Sequence, residues 1–148
     1  MSDKIAVVRE FFDLMGTAAS EKNPEVIQRV LGMMAPDINY QNKPMRGIKG
    51  LPAYMEWFKD FESCTHMKFT VLHMAQDGDW VLSERREEWT VNGVTIEMDL
   101  MGKFEVRDGK IQSWIDYCPY IGHWEAANQM GPGFFQRWED RTSIRKDR

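Results

Sequence analysis

Three turn signals, Asp77-Gly78-Asp79, Asn92-Gly93 and Asp108-Gly109, separate runs of alternating apolar and polar residues. Asn-Gly and Asp-Gly suit the centre of a tight β-hairpin, because both residues tolerate the positive φ that such turns need. The second half of the chain is therefore predicted to form strands over 68–75, 80–91, 94–106 and 110–118, joined as an antiparallel meander. The alternation is plainest in the third run, where Val94, Ile96, Met98 and Leu100 share one face and Phe104 and Val106 follow.

The first sixty residues carry a different period. Ile5, Val8, Phe11, Phe12 and Met15 recur at helical intervals; Ser2 or Asp3 offers a cap, and Gly16 predicts the end of that helix. Asn23-Pro24 predicts a second start, with Val26, Val30, Leu31 and Met34 as the apolar stripe and Pro36 as the stop. Residues 37–42 read as a short strand and Pro44 and Gly47 as loop. Residues 50–62 form a third helix on the stripe Leu51, Tyr54, Met55, Phe58 and Phe61. Helices first and hairpin-linked strands second is an α+β pattern. The expected architecture is a curved antiparallel sheet with the N-terminal helices in its concavity, a cone-shaped barrel. The 148 residues are expected to form one domain, with the barrel over 4–125 and a loose charged extension over 126–148.

Charge and motif content exclude several function classes. Nineteen basic residues are scattered among twenty-three acidic ones, net −4, so no basic stripe offers itself to nucleic acid. No apolar run approaches the ~20 residues of a membrane span, and the N-terminus is charged where a signal peptide is apolar. Cys64 and Cys118 have no CxxC spacing and read as free thiols of a reducing cytosol. Dinucleotide, P-loop, serine-elbow and metalloprotease motifs are missing from the sequence. His66 and His73 lie on one predicted strand at a spacing that sends them to opposite faces, and His123 is remote, so no metal and no cofactor is expected.

Charges inside the strands carry more information. Glu84, Arg85, Arg86, Glu87 and Glu88 are consecutive in the run 80–91. A two-residue period puts Arg85 and Glu87 with Val81, Ser83, Trp89 and Val91, and Glu84, Arg86 and Glu88 on the other face. Two readings stand. The run is a solvated charged ladder, or the Arg85 set faces the helices and must be paired to survive burial. Asp116, beside Trp114 in an aromatic context, offers a partner: the planar fork of Arg85 can bridge Glu87 and Asp116. Two carboxyls in unlike surroundings can take opposite protonation states. Tyr40 and Asn42 share one strand face, and either hold a water or pack and turn the chain before Pro44. Six Trp, eight Phe and eleven Met supply bulky side chains for a core or an apolar pocket. The pocket candidates are Met33, Met34, Trp57, Phe58, Trp89, Met98, Leu100 and Trp114.

Taken in order, Tyr40-Gln41-Asn42, Ser83-Glu84-Arg85-Arg86-Glu87 and Trp114-Ile115-Asp116-Tyr117 resemble the three signature segments of the limonene-1,2-epoxide hydrolase family. The helix–helix–strand–helix opening and the four-strand meander also resemble that family's fold, shared with nuclear transport factor 2 and ketosteroid isomerase. The resemblance implies cofactor-free addition of water to a small apolar epoxide. It implies that Tyr40, Asn42 and Asp116 hold the attacking water, that Asp116 is the base, and that Arg85 links it to the general acid. Glu87 occupies the acid position where the family carries Asp, and is one methylene longer. The same cone also serves isomerases, dehydratases and cyclases that move one proton with one carboxylate, and non-catalytic binding modules. A homodimer is expected, because the sheet face away from the helices would carry Ile111, Ser113, Ile115 and Tyr117, too apolar for water.

Overall fold

The computed structural model describes residues 3–43, 46–59 and 62–118. The order of elements is α1 (Lys4–Glu21), α2 (Pro24–Gly32), β1 (Met34–Lys43), β2 (Ile48–Lys49), α3 (Leu51–Phe58), β3 (Cys64–Asp77), β4 (Trp80–Val91), β5 (Val94–Arg107) and β6 (Lys110–Tyr117). The expected turn at Pro44, the stripe residue Phe61, His123 and the extension 126–148 lie outside the described residues.

The described strands form one curved sheet in the order β2-β1-β6-β5-β4-β3. The β3–β6 meander is antiparallel throughout. Asn92 and Gly93 both take positive φ (51° and 78°), as do Asp108 and Gly109 (50° and 72°), the backbone that a two-residue hairpin loop demands. The expectation of a wholly antiparallel sheet needs one correction: β1 runs parallel to β6. Five elements, β2, α3, β3, β4 and β5, separate these strands in the chain, so β1 is free to enter the sheet in either direction.

The helices begin as expected. Asp3 caps α1 by accepting from the Ala6 amide (3.2 Å), and Asn23 caps α2 by accepting from the Glu25 amide (2.9 Å). Their ends differ. Helix α1 runs past Gly16 to Glu21, because Gly16 is a contact residue, not a stop. A Cβ there would stand 2.8 Å from the Met67 carbonyl oxygen of β3. Helix α2 ends at Gly32, and Pro36 falls inside β1, on an exposed stretch where the β1–β6 register shifts between Met34 and Asn39.

Two bulges overturn parity arguments. In β3 the register slips between Val71 and His73, so His66 and His73 lie on the same outer face, opposite Thr90 and Glu84. In β6 the register slips at Gln112, where Ser113 pairs with Glu105 and Ile111 with Val106. Ile111 therefore turns into the core, fully buried, and leaves the outward set proposed for it.

Helix α1 lies against the inner face of the sheet. Phe12 stacks on Phe69 of β3 (4.8 Å between centroids) and meets Phe104 of β5 edge-on (5.3 Å). Phe11 meets Trp114 of β6 edge-on at 5.3 Å. These rings close one end of the concavity. Tyr40, Tyr54 and Trp57, from β1 and α3, wall its side.

Candidate active site

The inner face of the sheet can be read as rows across the strands. Val81, Phe104, Trp114 and Tyr40 are opposite one another on β4, β5, β6 and β1. The next row is Ser83, Gly102, Asp116 and Asn42. Beyond it on β4 stand Arg85, Glu87 and Trp89, opposite Leu100, Met98 and Ile96. The first row is packed with rings. The second holds a glycine in its middle, and that decides the geometry.

Arg85 has no solvent exposure, and its guanidinium lies 5.1 Å from the Phe12 ring centroid and 5.7 Å from that of Phe104. Its Nε donates to Glu87 Oε1 (2.7 Å), Nη1 to Ser83 Oγ (3.1 Å) and Nη2 to Asp116 Oδ2 (2.8 Å). The fork thus reaches from β4 across β5 to β6. It can do so only because β5 carries Gly102 between them. A Cβ at that position would overlap Asp116 Oδ1 and stand 2.6 Å from Arg85 Nη1. Two indoles complete the array: Trp114 Nε1 donates to Asp116 Oδ2 (2.8 Å) and Trp89 Nε1 to Glu87 Oε2 (3.0 Å). Asn42 Nδ2 donates to the Tyr40 hydroxyl at 2.9 Å.

Tyr40, Asn42, Glu87 and Asp116 line a single cavity of about 20 Å³, with Arg85 directly behind the two carboxyls. Trp57, Phe58, Trp89, Met98, Leu100 and Trp114 line it too. Met33 and Met34 do not. Met33 caps the C-terminus of α2, and Met34 is buried at the start of β1, at the end of the sheet where it pairs with Ile111. Among the described residues, no group of three or more His, Cys, Asp or Glu side chains is arranged to hold a metal ion.

Residues 2–126 match the family model described as limonene-1,2-epoxide hydrolase catalytic domain. The chain belongs to this family. An LEH-like epoxide hydrolase from M. tuberculosis has the same fold, with a TM-score of 0.69 at 20% identity over 90% of this chain and 96% of that one. So does PrhC from Penicillium brasilianum, with a TM-score of 0.76 at 11% identity over 95% and 96% of the two chains. A candidate SnoaL-like polyketide cyclase from Shewanella putrefaciens superposes at 0.70 with 12% identity, over 85% and 96%. No curated protein matches the chain. The fold is the NTF2-like one, built here as an open sheet.

The electrostatics of this family member follow from burial. Desolvation pushes the carboxyls of both Glu87 and Asp116 above their ordinary values, and the charge of Arg85 pulls each back. Burial also opposes the charge on Arg85, but the two carboxylates outweigh it, so the guanidinium stays protonated. One cation facing two desolvated acids favours a state with one proton on the pair. The charge on Asp116 raises Glu87 further. The array thus favours a single proton shared between Glu87 and Asp116. Burial likewise pushes the Cys118 thiol up, and the charge of Asp116 adds to that, which keeps this cavity residue a neutral thiol.

Sequence reasoning missed Gly102, Ser83 and the polar use of Trp89. Gly102 left a legible trace, since an isolated glycine inside an alternating strand marks a close approach of other groups. Ser83 and Trp89 left none beyond their parity with Arg85. Met15, Tyr54, Met67, Phe69 and Cys118 also line the cavity.

Proposed function

We propose that the protein hydrolyses an apolar epoxide to a vicinal diol in one step. The observation that carries this is Arg85 bridging Glu87 and Asp116 in the wall of an apolar cavity, in a chain of this family. Asp116 is the general base, Glu87 the general acid, and Asn42, held by Tyr40, orients the water. The water oxygen forms a bond to one epoxide carbon as its proton passes to Asp116. The ring C–O bond breaks, its electron pair goes to the epoxide oxygen, and that oxygen takes the proton of Glu87. Return of the proton from Asp116 to Glu87 resets the pair. Such acid–base assistance is worth about 10²–10⁴-fold, and the scheme draws only on side chains and water.

Trp57, Phe58, Trp89, Met98, Leu100 and Trp114 give the substrate an apolar seat. A cavity of about 20 Å³ fits a water, not a substrate. Phe58 and Met67 also border a second, larger cavity of about 250 Å³, lined by Ala18, Ala19, Ile27 and Leu31 among others. Displacement of these two side chains joins the cavities and supplies the room. Incubation with an apolar epoxide in ¹⁸O-water tests the reading: a diol carrying one labelled oxygen supports it.

A second reading has one observation in its favour. Both Glu87 oxygens already accept hydrogen bonds, while Asp116 keeps one oxygen bare. A single carboxylate that moves a proton suits an isomerase, dehydratase or cyclase. Unlabelled, rearranged product in the same experiment favours that reaction.

The partner in this reading is a second copy of the chain. The outer face carries Met101 and Tyr117, paired in register and both exposed, beside half-buried Ile115 and exposed Leu82. A monomer mass by light scattering at high concentration would overturn this. The free thiols of Cys64 and Cys118 suit a reducing cytoplasm.

A further inference from the structure

Three buried polar atoms beside the cavity make no hydrogen bond among the described residues: Asp116 Oδ1, Asn42 Oδ1 and the Tyr54 hydroxyl. All three residues line the same cavity. Leaving such groups unpaired is costly, and three together in one wall point to a common partner. Two of the atoms are acceptors. Asn42 presents its Oδ1 with its Nδ2 turned to the Tyr40 hydroxyl, and Asp116 presents Oδ1 because its Oδ2 is occupied by Arg85 and Trp114. The third is a phenol that can donate.

We propose that Tyr54 is a further catalytic residue, whose hydroxyl donates to the attacking water held by Asp116 Oδ1 and Asn42 Oδ1. One water satisfies all three atoms at once. It donates its two hydrogens to the two acceptors, accepts from Tyr54 with one lone pair, and keeps the other lone pair for the epoxide carbon. A volume of about 20 Å³ is enough for a single water. Tyr40, already bonded to the Asn42 amide, acts through Asn42 and is a positioning residue. Tyr54 is only 1% exposed, and its ring is locked edge-on against Tyr40 at 5.3 Å and stacked on Phe58 at 5.9 Å. Burial, with the charge of Asp116 added, raises its pKa, so the phenol remains a neutral donor across the working range of the two carboxyls. The gain lies in direction: three fixed hydrogen bonds leave the remaining lone pair one orientation.

The chemistry of this assignment rests on the hydrolase reading, and its geometry does not. Tyr54→Phe keeps the ring and deletes one unpaired hydroxyl, so the fold is retained. Its kcat on an apolar epoxide is expected to fall about tenfold, the worth of one hydrogen bond, with KM and both limbs of the pH profile unchanged. A high-resolution crystal structure of the wild type is expected to show a water within about 3.2 Å of all three atoms, lost or displaced in Tyr54→Phe. Full kcat in Tyr54→Phe, or a water bound to Asp116 and Asn42 but to the Tyr40 hydroxyl instead of Tyr54, overturns the proposal while leaving hydrolysis intact. If no epoxide is turned over, the hydrolase reading fails, and the bound water alone decides whether Tyr54 holds it.

Discussion

Arg85 and Arg86 are neighbours on β4, and each binds carboxylates at nearly the same distances. On the inner face, Arg85 meets Glu87 at 2.7 Å and Asp116 at 2.8 Å. On the outer face, Arg86 makes two bonds to Asp99, at 2.7 and 3.0 Å, and lies 3.5 Å from Glu97. Contact geometry does not separate them. Exposure does: the Arg85 side chain is 0% exposed and that of Arg86 45%. Two unit charges 4 Å apart interact by about 1 kcal/mol in water and about 4 kcal/mol at the effective dielectric of a protein site. The outer pair is a solvated ladder that adds little to stability. The inner set is desolvated, so its protonation states are shifted and chemistry becomes available to it. Each of the readings left open for the charge run is right for one face.

The strongest way to break this contrast is Arg85→Met. It removes the only cation bonded to two buried acids among the described residues, and should cost about 3–5 kcal/mol, a large share of a domain's stability. The sign of its pH dependence is fixed by direction. Both carboxyls have folded-state pKa values raised above their unfolded ones, mainly by burial. Losing Arg85 raises them further. A group of this kind stabilises the fold most fully below its unfolded pKa, and the stabilisation is lost as pH rises through the folded pKa. Urea melts of Arg85→Met should therefore show a deficit that is smallest near pH 4 and widens towards neutrality. A deficit that shrinks as pH rises would refute the account of the buried acids.

Glu87 sharpens the contrast next, because turnover needs Asp116 ionised and Glu87 protonated. The rate should be bell-shaped in pH, with both limbs above the ordinary carboxyl values of 3.8 and 4.5. Glu87→Gln should remove the upper limb and cost about 10²-fold or more in kcat. Glu87→Asp restores the residue that the family carries but shortens the reach to Arg85 and Trp89. Retained hydrolysis in Glu87→Asp beside loss in Glu87→Gln supports the acid role. Equal rates in wild type and Glu87→Gln would make Glu87 structural.

Gly102→Ala tests the approach between the acids and Arg85 without removing any charge. The added methyl overlaps Asp116 Oδ1, so the carboxylate must move away from Arg85 and from the water position. A misplacement of about 1 Å is worth about 10²-fold in rate, and the acid limb should move up as Asp116 loses part of its cation. Gly32→Ala, with open space around the added carbon, is the control. An unchanged limb in a folded Gly102→Ala protein would show that the close approach is incidental.

The meander, its turn residues and the inward parity of Arg85, Glu87 and Asp116 were legible because hairpin chemistry and a two-residue period are local. Three things were not. The parallel entry of β1 depends on how helices stack, which no local period encodes. The bulges at Gln112 and after Val71 reverse parity without any residue that announces them, and so misassigned Ile111 and the two histidines. Gly16 reads in sequence as a helix stop, yet it lies inside α1 as a close-approach position against the Met67 carbonyl of β3. A glycine's role depends on what lies across from it, and that is a tertiary fact.

Arg86→Ala predicts the smallest effect and is the most exacting test of the comparison. It deletes two hydrogen bonds and three carboxylate neighbours, where Arg85→Met deletes three hydrogen bonds and two carboxylate partners. If contacts set stability, the two variants should lose alike. If desolvation sets it, water rehydrates Asp99, which is freely exposed, and nothing is left uncompensated. The expected outcome is an unchanged urea midpoint at physiological salt and an unchanged kcat. A slight loss should emerge only at low ionic strength, where exposed pairs are least screened. The partner's position refines the forecast. Asp99 lies on β5 directly opposite Arg86, so removing Arg86 leaves Glu84, Glu88, Glu97 and Asp99 on one face with less positive charge among them. Added salt should then restore the variant and leave Arg85→Met unmoved, because ions reach the outer ladder and not the inner array. A large, salt-insensitive loss in Arg86→Ala would mean that the outer face is covered in solution, and that the second copy of the chain sits on the ladder itself.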